Sequence, residues 1–252
     1  MPDYYNTAEQ LNQYLVFHYG TDADILKWDF GPKQALGFHK RLANCVDLDR
    51  LPDRSRALDL GCSVGRITFE LARHVDSVVG IDFSHQFIAA ATEIQKTASV
   101  ELYLTREGEL SDKVSRSFGE DLDAAKIQFS QGNAENLPGN IGTFDVVILA
   151  NILDRLPHPR DCLKKLSHLL NPGGQLIICS PFTWWDEFTN RKERLGGYME
   201  NEKEVTSLDS MKLVLSEHFD LQDVQDQPFL IREHERKYHF SVAETSIWIR
   251  KQ

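Results

Sequence analysis

The stretch Arg56-Ala57-Leu58-Asp59-Leu60-Gly61-Cys62-Ser63-Val64-Gly65 decides the fold of this chain. It is a short apolar run with an acidic residue near its end, followed by a turn of small residues and a segment of helical pattern. A second apolar run, Val78-Val79-Gly80-Ile81, comes next and ends at Asp82. Strand, turn, helix and strand in this order predict a β-turn-α-β unit that holds an adenosine-containing cofactor.

The turn and the second strand end supply the residues expected to contact that cofactor. Gly61 and Gly65 have no side chain, so the backbone can approach a ligand closely there. Asp82 is placed to accept hydrogen bonds from ribose hydroxyls. Ser63 replaces the middle glycine of the dinucleotide fingerprint, and Asp59 would repel a phosphate but suits an ammonium group. These features favour S-adenosylmethionine; NAD, or an ordinary connection without a ligand, remains the alternative.

Composition excludes several classes of protein. The 252 residues suit one α/β domain with additions, and a formal net charge of −10 argues against a general nucleic-acid binder, which needs a basic face. The four cysteines form no C-x-x-C pair, so neither a disulfide framework nor a metal site is expected. The sequence shows no signal peptide and no apolar run of about 18 residues. We therefore expect a cytoplasmic protein with no membrane partner.

The chain divides into an aromatic-rich start and an alternating core. Residues 1–50 are predicted to form a helical cap, with a helix over 7–19 that either packs on the main domain, closes over the cofactor as a lid, or does both. Residues 51–252 form the main domain, in which about 100–123 fit no core element and are interpreted as a mobile insertion. The predicted strands cover Arg56–Leu60, 78–81, 127–130, Phe144–Ala150 and 175–180; the predicted helices cover 66–73, 86–96, 160–170 and 207–219; and two β-rich runs, near Leu230 and over 240–249, predict an antiparallel edge pair.

This order of segments resembles that of class I S-adenosylmethionine-dependent methyltransferases. The matching segments are Asp59-Leu60-Gly61-Cys62-Ser63-Val64-Gly65, Asp82-Phe83, Gly132-Asn133-Ala134-Glu135-Asn136-Leu137-Pro138, Phe144-Asp145-Val146-Val147 and Leu170-Asn171-Pro172-Gly173-Gly174. An Asp is more usual where Asn133 stands, and either side chain can bind the adenine amino group. The resemblance covers about 56–181. It implies a Rossmann-like α/β fold, with a mostly parallel seven-stranded sheet, an antiparallel edge hairpin and an N-terminal helical cap.

A narrower resemblance spans nearly the whole chain. It rests on Tyr4-Tyr5, Tyr14-Leu15-Val16-Phe17-His18-Tyr19-Gly20, Gly80-Ile81-Asp82-Phe83-Ser84-His85, Ala150-Asn151-Ile152-Leu153-Asp154-Arg155-Leu156-Pro157, Ser180-Pro181-Phe182-Thr183-Trp184 and Leu230-Ile231-Arg232-Glu233-His234-Glu235-Arg236-Lys237. These segments are similar to the C-terminal methyltransferase domain of the ovothiol-biosynthesis enzyme, of the 4-mercaptohistidine N1-methyltransferase family. The resemblance implies methylation of an imidazole nitrogen of 5-thiohistidine, the last step of ovothiol A biosynthesis. The family's full enzyme also carries an iron-dependent sulfoxide synthase portion, so this chain is interpreted as an excised domain or a standalone relative.

The resemblance and the positions of the motifs together give a set of cofactor contacts. Cys62 is expected to touch the cofactor through its backbone alone. The full set is Asp59, Gly61, Cys62, Gly65, Asp82, Phe83, Asn133, Ala134 and Ala150.

The acceptor must be anchored at several points, because its thiolate is a stronger nucleophile than the ring nitrogen and has to be turned away from the methyl group. Arg155 follows the fourth core strand and is the first candidate to hold the carboxylate, since its fork is bidentate; a surface ion pair with Asp154 or Asp161 is the other interpretation. Arg232 is the second candidate, against a β-edge ion-pair ladder. The expected acceptor-binding residues are Asn151, Arg155, Trp184 (with its neighbour Trp185 as an aromatic wall), Arg232 and Tyr19.

Three histidines are candidates for positioning or deprotonating a ring N–H, namely His18, His85 and His234, and a structural role is the alternative for each. Two other functions stay open. One is methylation of a different small amine, thiol or imidazole compound, and the other is a S-adenosylmethionine-binding module without catalysis. An open polar pocket beside the methyl group would favour catalysis, whereas a filled apolar wall would favour the silent module.

Overall fold

The structure is a computed structural model that describes residues 7–118 and 122–252, so the Tyr4-Tyr5 pair lies outside the described residues. The helices are α1 (Ala8–Tyr19), α2 (Asp22–Ile25), α3 (Phe38–Ala43), α4 (Arg66–Leu71), α5 (His85–Thr97), α6 (Pro159–Leu169) and α7 (Ser207–Leu215). The strands are β1 (Arg56–Leu60), β2 (Ser77–Asp82), β3 (Ser99–Glu107), β4 (Leu110–Ser117), β5 (Ile127–Gln131), β6 (Phe144–Ala150), β7 (Leu170–Ser180), β8 (Tyr198–Glu200), β9 (Lys203–Val205), β10 (Phe219–His234) and β11 (Lys237–Arg250).

One seven-stranded sheet has the strand order β10-β11-β7-β6-β1-β2-β5. The five strands from β7 to β5 run parallel, and β11 pairs antiparallel with both β7 and β10. The predicted Rossmann-like α/β class with an antiparallel edge hairpin is confirmed. Because parallel strands end on the same side, the last residues of these five strands meet at one edge, which is where open α/β sheets bind ligands.

Strand β6 lies in the middle of this sheet and explains why its sequence is apolar throughout. Val146 and Ile148 pack on one face with Phe38 of the cap, whereas Val147 and Leu149 pack on the other face with α6 and α7. All four β6 side chains are 0% exposed. Because helices cover both faces of the sheet, the sequence of β6 does not need to alternate between apolar and polar residues, as is typical of buried parallel strands.

The cap helix α1 forms as the sequence predicts and belongs to the hydrophobic core. Thr7 caps it by accepting a hydrogen bond from the backbone N–H of Gln10, and Gly20 follows its last residue. Its C-terminal turn is buried, and Phe17 packs on Phe38 and Phe229. The packing interpretation of the cap therefore holds, and the same helix also lines the cavity described below.

The segment of about 100–123, interpreted as an insertion that fits no core element, lies outside the seven-stranded sheet but contains regular structure. β3 and β4 form an antiparallel hairpin, in which Val100 and Leu102 are buried in the core. Asn12 of α1 exchanges two hydrogen bonds with the backbone of Tyr103, at 2.8 and 2.9 Å. The alternation of apolar residues at 100, 102 and 104 is the strand signal that the sequence analysis overlooked.

The bounds of four elements differ most from the prediction. β7 begins at Leu170 rather than at 175, because Leu170 pairs with Phe144 before a register shift at the Asn171–Gly174 turn. α7 ends at Leu215, four residues early. β10 and β11 extend far beyond the predicted runs. Only Gln175–Ser180 of β7 pairs with β11, and the part of the hairpin beyond this pairing packs against the cap. Within residues 7–118 and 122–252, no helix has the length and apolarity needed to cross a bilayer.

Candidate functional site

A cavity of about 350 Å³ opens at the carboxyl edge of the parallel strands. Its floor is the turn after β1, and its walls are α1, the start of α3, the loops after β6 and β7, and the β10–β11 hairpin. The lining residues from the strand ends and the loops that follow them include Gly61, Cys62, Ser63, Asp82, Phe83, Ala150, Asn151 and Arg155. The cap and the hairpin add Gln10, Gln13, Tyr14, Phe17, His18, Phe38, His39, Phe229, Ile231, His239 and Ser241.

The two glycines of the turn are needed for the fold as well as for any ligand. Gly61 and Gly65 have backbone φ angles of +81° and +90°, which residues with a side chain rarely adopt. A Cβ on Gly65 would lie 2.7 Å from Cζ of Phe129, and one on Gly61 would lie 2.6 Å from Cδ1 of Ile152. The missing side chain of Gly65 makes room for Phe129, and Gly65 does not line the cavity, so its expected contact with the cofactor stays a prediction.

Asp82 ties the end of β2 to this turn. Its carboxylate accepts hydrogen bonds from the backbone N–H groups of Ser63 and Ser84, each at 2.8 Å. Burial raises the pKa of Asp82 to about 6, against the effect of these hydrogen bonds. Phe83 follows at the rim of the cavity and is 42% exposed. An acceptor group and an exposed aromatic ring thus lie side by side, as the binding of a ribose and an adenine requires.

Asp59 lies behind the turn, is fully buried and does not line the cavity. Its Oδ2 accepts a hydrogen bond from the Thr68 hydroxyl at 2.7 Å, whereas its Oδ1 has no partner among the described residues. Burial, with a smaller contribution from Asp82, raises the pKa of Asp59 to about 7. Below about pH 7 the Asp59 carboxyl group therefore carries a proton itself, and its enclosed Oδ1 is not reached from the cavity.

The third-strand loop contributes less than the resemblance implies. Asn133 bonds within its own turn, where its Oδ1 accepts the backbone N–H of Glu135 at 2.9 Å. Asn133 and Ala134 lie outside the cavity lining, and Ala134 borders a separate groove beside α6. Ala150, at the end of β6, lines the cavity as expected.

Arg155 lines the cavity and also makes the ion pair with Asp154 that is its alternative interpretation. Its Nη1 donates to Oδ2 of Asp154 at 3.1 Å and to the backbone oxygen of Thr183 at 2.8 Å. Its guanidinium lies over the rings of Trp185 and Phe188, with 4.8 and 5.1 Å to the ring centroids. The side chain is thereby fixed at the cavity wall, and the ion pair is with Asp154 rather than with Asp161.

Asn151 adopts an unusual backbone conformation at the end of β6. Its φ is +55°, in the left-handed region, and its backbone N–H donates to the oxygen of Cys179 at 2.8 Å. Its side-chain Oδ1 is buried without a partner among the described residues. Strained residues of this kind cluster at ligand sites, so Asn151 is a residue whose polar group is available to a ligand.

The three candidate histidines occupy very different places. His18 is buried and lines the cavity; burial, followed by the charge of Arg66, lowers its pKa well below 6.5. His85 is the exposed first residue of α5, and His234 accepts a hydrogen bond from the backbone of Arg236 in the β10–β11 turn. The structure thus places His85 and His234 outside the cavity.

Three expected acceptor-binding residues also lie outside the cavity lining. Arg232 is buried and donates to the backbone oxygens of Asp24 and Thr105, at 2.6 and 2.9 Å, so it holds the hairpin against the cap. Trp184 donates to the Ser207 hydroxyl at 3.1 Å, and its neighbour Trp185 lines the cavity instead. The Tyr19 hydroxyl donates to the backbone oxygen of Val64 at 2.6 Å and supports the turn from behind.

His39 and His239 are cavity residues that the sequence analysis missed. His39 is in α3, where it lies against Phe17 and His18. His239 is in β11 and makes a 2.9 Å contact with Glu233 of β10. Neither has a local sequence signal, because the cap and the hairpin reach the strand-end edge only through long-range packing.

The site fits S-adenosylmethionine in its residues. Asp82 and Phe83 meet the requirements of an adenosine group, and Asn151, whose side-chain oxygen is buried without a partner among the described residues, lines the same cavity. Asp82 is the only carboxylate and Arg155 the only Lys or Arg side chain that line the cavity in the described part of the chain.

Comparisons with known proteins agree with this geometry. A family model described as a methyltransferase domain matches residues 52–214. Curated relatives include a demethylmenaquinone methyltransferase of Lactococcus lactis, 30% identical over 123 residues that cover 48% of this chain and 39% of the relative. Another is a ubiquinone/menaquinone biosynthesis C-methyltransferase of Ectopseudomonas mendocina, 40% identical over 55 residues, or 22% of either chain. The chain thus spans less than half the length of these curated relatives.

Solved structures share the fold at low sequence identity. The N-methyltransferase NodS of Bradyrhizobium japonicum, in complex with S-adenosyl-L-homocysteine, has a TM-score of 0.52 and 18% identity, covering 96% of this chain and 99% of NodS. The YcgJ protein of Bacillus has a TM-score of 0.53 and 13% identity, covering 84% of this chain and 98% of YcgJ. These likenesses support the fold assignment.

Proposed function

The chain belongs to the methyltransferase domain family, with S-adenosylmethionine as its cofactor, and we propose that it transfers the methyl group to an imidazole nitrogen of 5-thiohistidine. The observation that carries this proposal is Arg155, the one Lys or Arg side chain among the described residues that line the cavity, which lies over the ring of Trp185 and shares the lining with Asn151. A small amino acid with a flat ring offers a carboxylate, an N–H group and an aromatic face to these three side chains. An open lining with polar groups also favours catalysis over a silent binding module.

The reaction asks for alignment more than for acid–base chemistry. The cofactor supplies a methyl group already activated on a sulfonium, and the protein must hold the ring nitrogen in line with it and exclude water. A neutral imidazole nitrogen has a lone pair and needs no base. His18 and His39 both have pKa values well below 6.5, so at neutral pH they are uncharged and act as hydrogen-bonding groups.

The proposal also implies a supplier of the acceptor. 5-Thiohistidine requires a preceding reaction that forms a carbon–sulfur bond on the imidazole ring. By the resemblance stated above, an iron-dependent sulfoxide synthase portion, fused to this chain or associated with it, would perform that step.

A second candidate comes from the curated relatives, whose names describe methylation of a quinone precursor. The aromatic part of the lining, with Phe17, Phe38 and Phe229, would also suit an apolar ring. A quinone precursor has no carboxylate for Arg155, so we rank it below the amino acid.

The proposal is tested by incubating the protein with S-adenosylmethionine and 5-thiohistidine and identifying the product by mass spectrometry. We expect a product heavier by one methylene, with the methyl group on nitrogen and the thiol still reactive to a thiol reagent. Histidine and demethylmenaquinol serve as alternative acceptors. Methylation of demethylmenaquinol, with 5-thiohistidine unchanged, would replace the proposal by the second candidate.

A further inference from the structure

Two buried imidazole rings lie against each other at the cap side of the cavity. His18 of α1 and His39 of α3 have ring centroids 3.8 Å apart and ring planes at 40°. Each side chain is 6% exposed, and both line the cavity. Two histidines from separate elements have thus been brought together at the one place where a ligand can reach them.

The hydrogen bonds of this pair are incomplete. His18 Nδ1 accepts the backbone N–H of Arg66 at 3.4 Å, which leaves the proton of the neutral ring on Nε2. Neither Nε2 of His18 nor either ring nitrogen of His39 has a hydrogen-bond partner among residues 7–118 and 122–252. These ring nitrogens are not among the fully buried atoms that lack a partner, so they are reached from the cavity and their N–H donors are available to a bound group.

The surroundings of the pair favour a negatively charged group. Burial lowers the pKa of both rings, and the charge of Arg66 acts in the same direction on each, joined at His39 by Arg41 and by His18 when that ring is protonated. Arg66 is itself paired with Glu70 at 2.7 Å, but Glu70 does not line the cavity. Among the described lining residues the one carboxylate is Asp82, at the end of β2. The rings around the pair, Tyr14 and Phe17, offer no charge of either sign.

We propose that His18 and His39 form an anion subsite, which binds either the carboxylate at the amino-acid end of the cofactor or the thiolate of the acceptor. His18 contacts the residue that follows the glycine turn, which favours the cofactor carboxylate. The aromatic rings around the pair suit polarizable sulfur, which favours the thiolate. In the second case the subsite turns the stronger nucleophile away from the methyl group, and this case rests on the proposed function.

An anion bound here has a measurable consequence for the two rings. A negative charge within about 4–6 Å favours the protonated imidazole, so it raises the pKa of the pair by about 1 or more. The readout is the pH titration of the His18 and His39 ring protons by nuclear magnetic resonance, in the whole chain. The two signals are assigned by their loss in His18→Gln and His39→Gln, and His74→Gln, on an exposed histidine outside the cavity, is the control.

The ligands distinguish the two sources. S-adenosylhomocysteine carries the carboxylate, whereas 5′-methylthioadenosine lacks the whole amino-acid end. 4-Mercaptoimidazole, added with 5′-methylthioadenosine, supplies the thiolate without any carboxylate. A rise in the pKa of the pair with S-adenosylhomocysteine assigns the subsite to the cofactor, and a rise with 4-mercaptoimidazole assigns it to the acceptor.

Binding of the variants gives a second readout. His39→Gln should lower, by about tenfold, the affinity for whichever ligand raises the pKa of the pair, while His74→Gln should leave that affinity unchanged. If neither ligand raises the pKa and His39→Gln binds both as tightly as the wild type does, the anion subsite is overturned. Failure to methylate 5-thiohistidine is a separate result: it removes the proposed function, while the titrations still decide the subsite.

Discussion

Asp82 Oδ2 accepts the backbone N–H of Ser63 at 2.8 Å, and this bond joins the end of β2 to the turn after β1. The residue expected to hold the ribose therefore also fixes the conformation of the turn. Ser63 itself has a φ of +52°, which a bond to its own N–H helps to maintain. The expected ribose contact and the shape of the turn thus involve the same carboxylate.

Replacing Asp82 by Ala should weaken S-adenosylhomocysteine binding by about 1–3 kcal/mol, because ribose hydroxyls lose their acceptor and the turn loses its tie. Titration calorimetry measures this affinity, and Asp76→Ala, at an exposed position just before β2, is the matched control. Wild-type affinity in Asp82→Ala would remove Asp82 from the cofactor site.

In the cofactor-free protein, Asp59 should contribute a loss of stability as the pH rises from about 4 to about 7, whereas His18 and His39, whose pKa values burial lowers, act in the opposite direction. Burial raises the pKa of Asp59 from 3.8 to about 7, so over this interval the folded state holds a proton that the unfolded state has released. The contribution of Asp59 to the free energy of unfolding therefore falls with increasing pH. Asp59→Asn should flatten this slope and make the protein more stable at pH 8, by an amount on the order of a few kcal/mol. Urea unfolding at pH 5 and pH 8 measures the effect; equal slopes in the two proteins would contradict it.

Gly65→Ala should destabilise the fold rather than act on the ligand alone. Its Cβ would lie 2.7 Å from Phe129, and its φ of +90° is unfavourable for alanine. Together these effects should lower the free energy of unfolding by about 2–4 kcal/mol. Gly108→Ala is the control, since Gly108 also has a positive φ but no atom within 4 Å of the added Cβ.

The same comparison separates packing from conformational strain. Phe129→Leu in the Gly65→Ala background should restore part of the lost stability by relieving the contact. If Gly65→Ala unfolds at the wild-type urea concentration and only its cofactor affinity falls, then Gly65 serves the ligand and not the packing.

Arg155→Lys should lower kcat/KM for 5-thiohistidine, because an ammonium cannot replace the bidentate guanidinium. The loss should correspond to about 1.5–3 kcal/mol of additional activation free energy. Steady-state kinetics with 5-thiohistidine and its decarboxylated analogue measure the preference for the carboxylate. The wild type should prefer the full amino acid strongly, and Arg155→Lys should keep only part of that preference, because its ammonium still attracts a carboxylate but lacks the bidentate fork. An unchanged preference would move the carboxylate elsewhere in the site.

The stability of the Arg155 variants needs its own control, since Asp154 is 0% exposed and depends on Arg155 for its ion pair. Arg155→Ala alone would leave that carboxylate unpaired, at a cost of about 3–5 kcal/mol. The double variant Asp154→Asn with Arg155→Gln removes both charges. It should fold more stably than Arg155→Ala and still lack the preference for the carboxylate.

The core of the fold was predictable wherever the signal is local. Arg56–Leu60 and Phe144–Ala150 have the predicted bounds, because continuous apolar runs between turn residues are typical of buried parallel strands. The β3–β4 hairpin was missed, since its alternation is short and its burial depends on α1. Arg232 was interpreted as a ligand residue because sequence alone does not reveal the two carbonyl oxygens of the cap that it binds.

By itself the sequence determined the β-turn-α-β unit, the fold class, and the placement of Asp82, Asn151 and Arg155 after strands. These follow from residue spacing, since a strand end and its turn are fixed by neighbours a few residues away. Only the tertiary structure decided which residues share the cavity. It placed His18 beside His39 and put Trp185, rather than Trp184, in the wall. Those contacts depend on how the cap and the hairpin pack on the sheet, and residues this far apart in the chain meet only when the whole core forms.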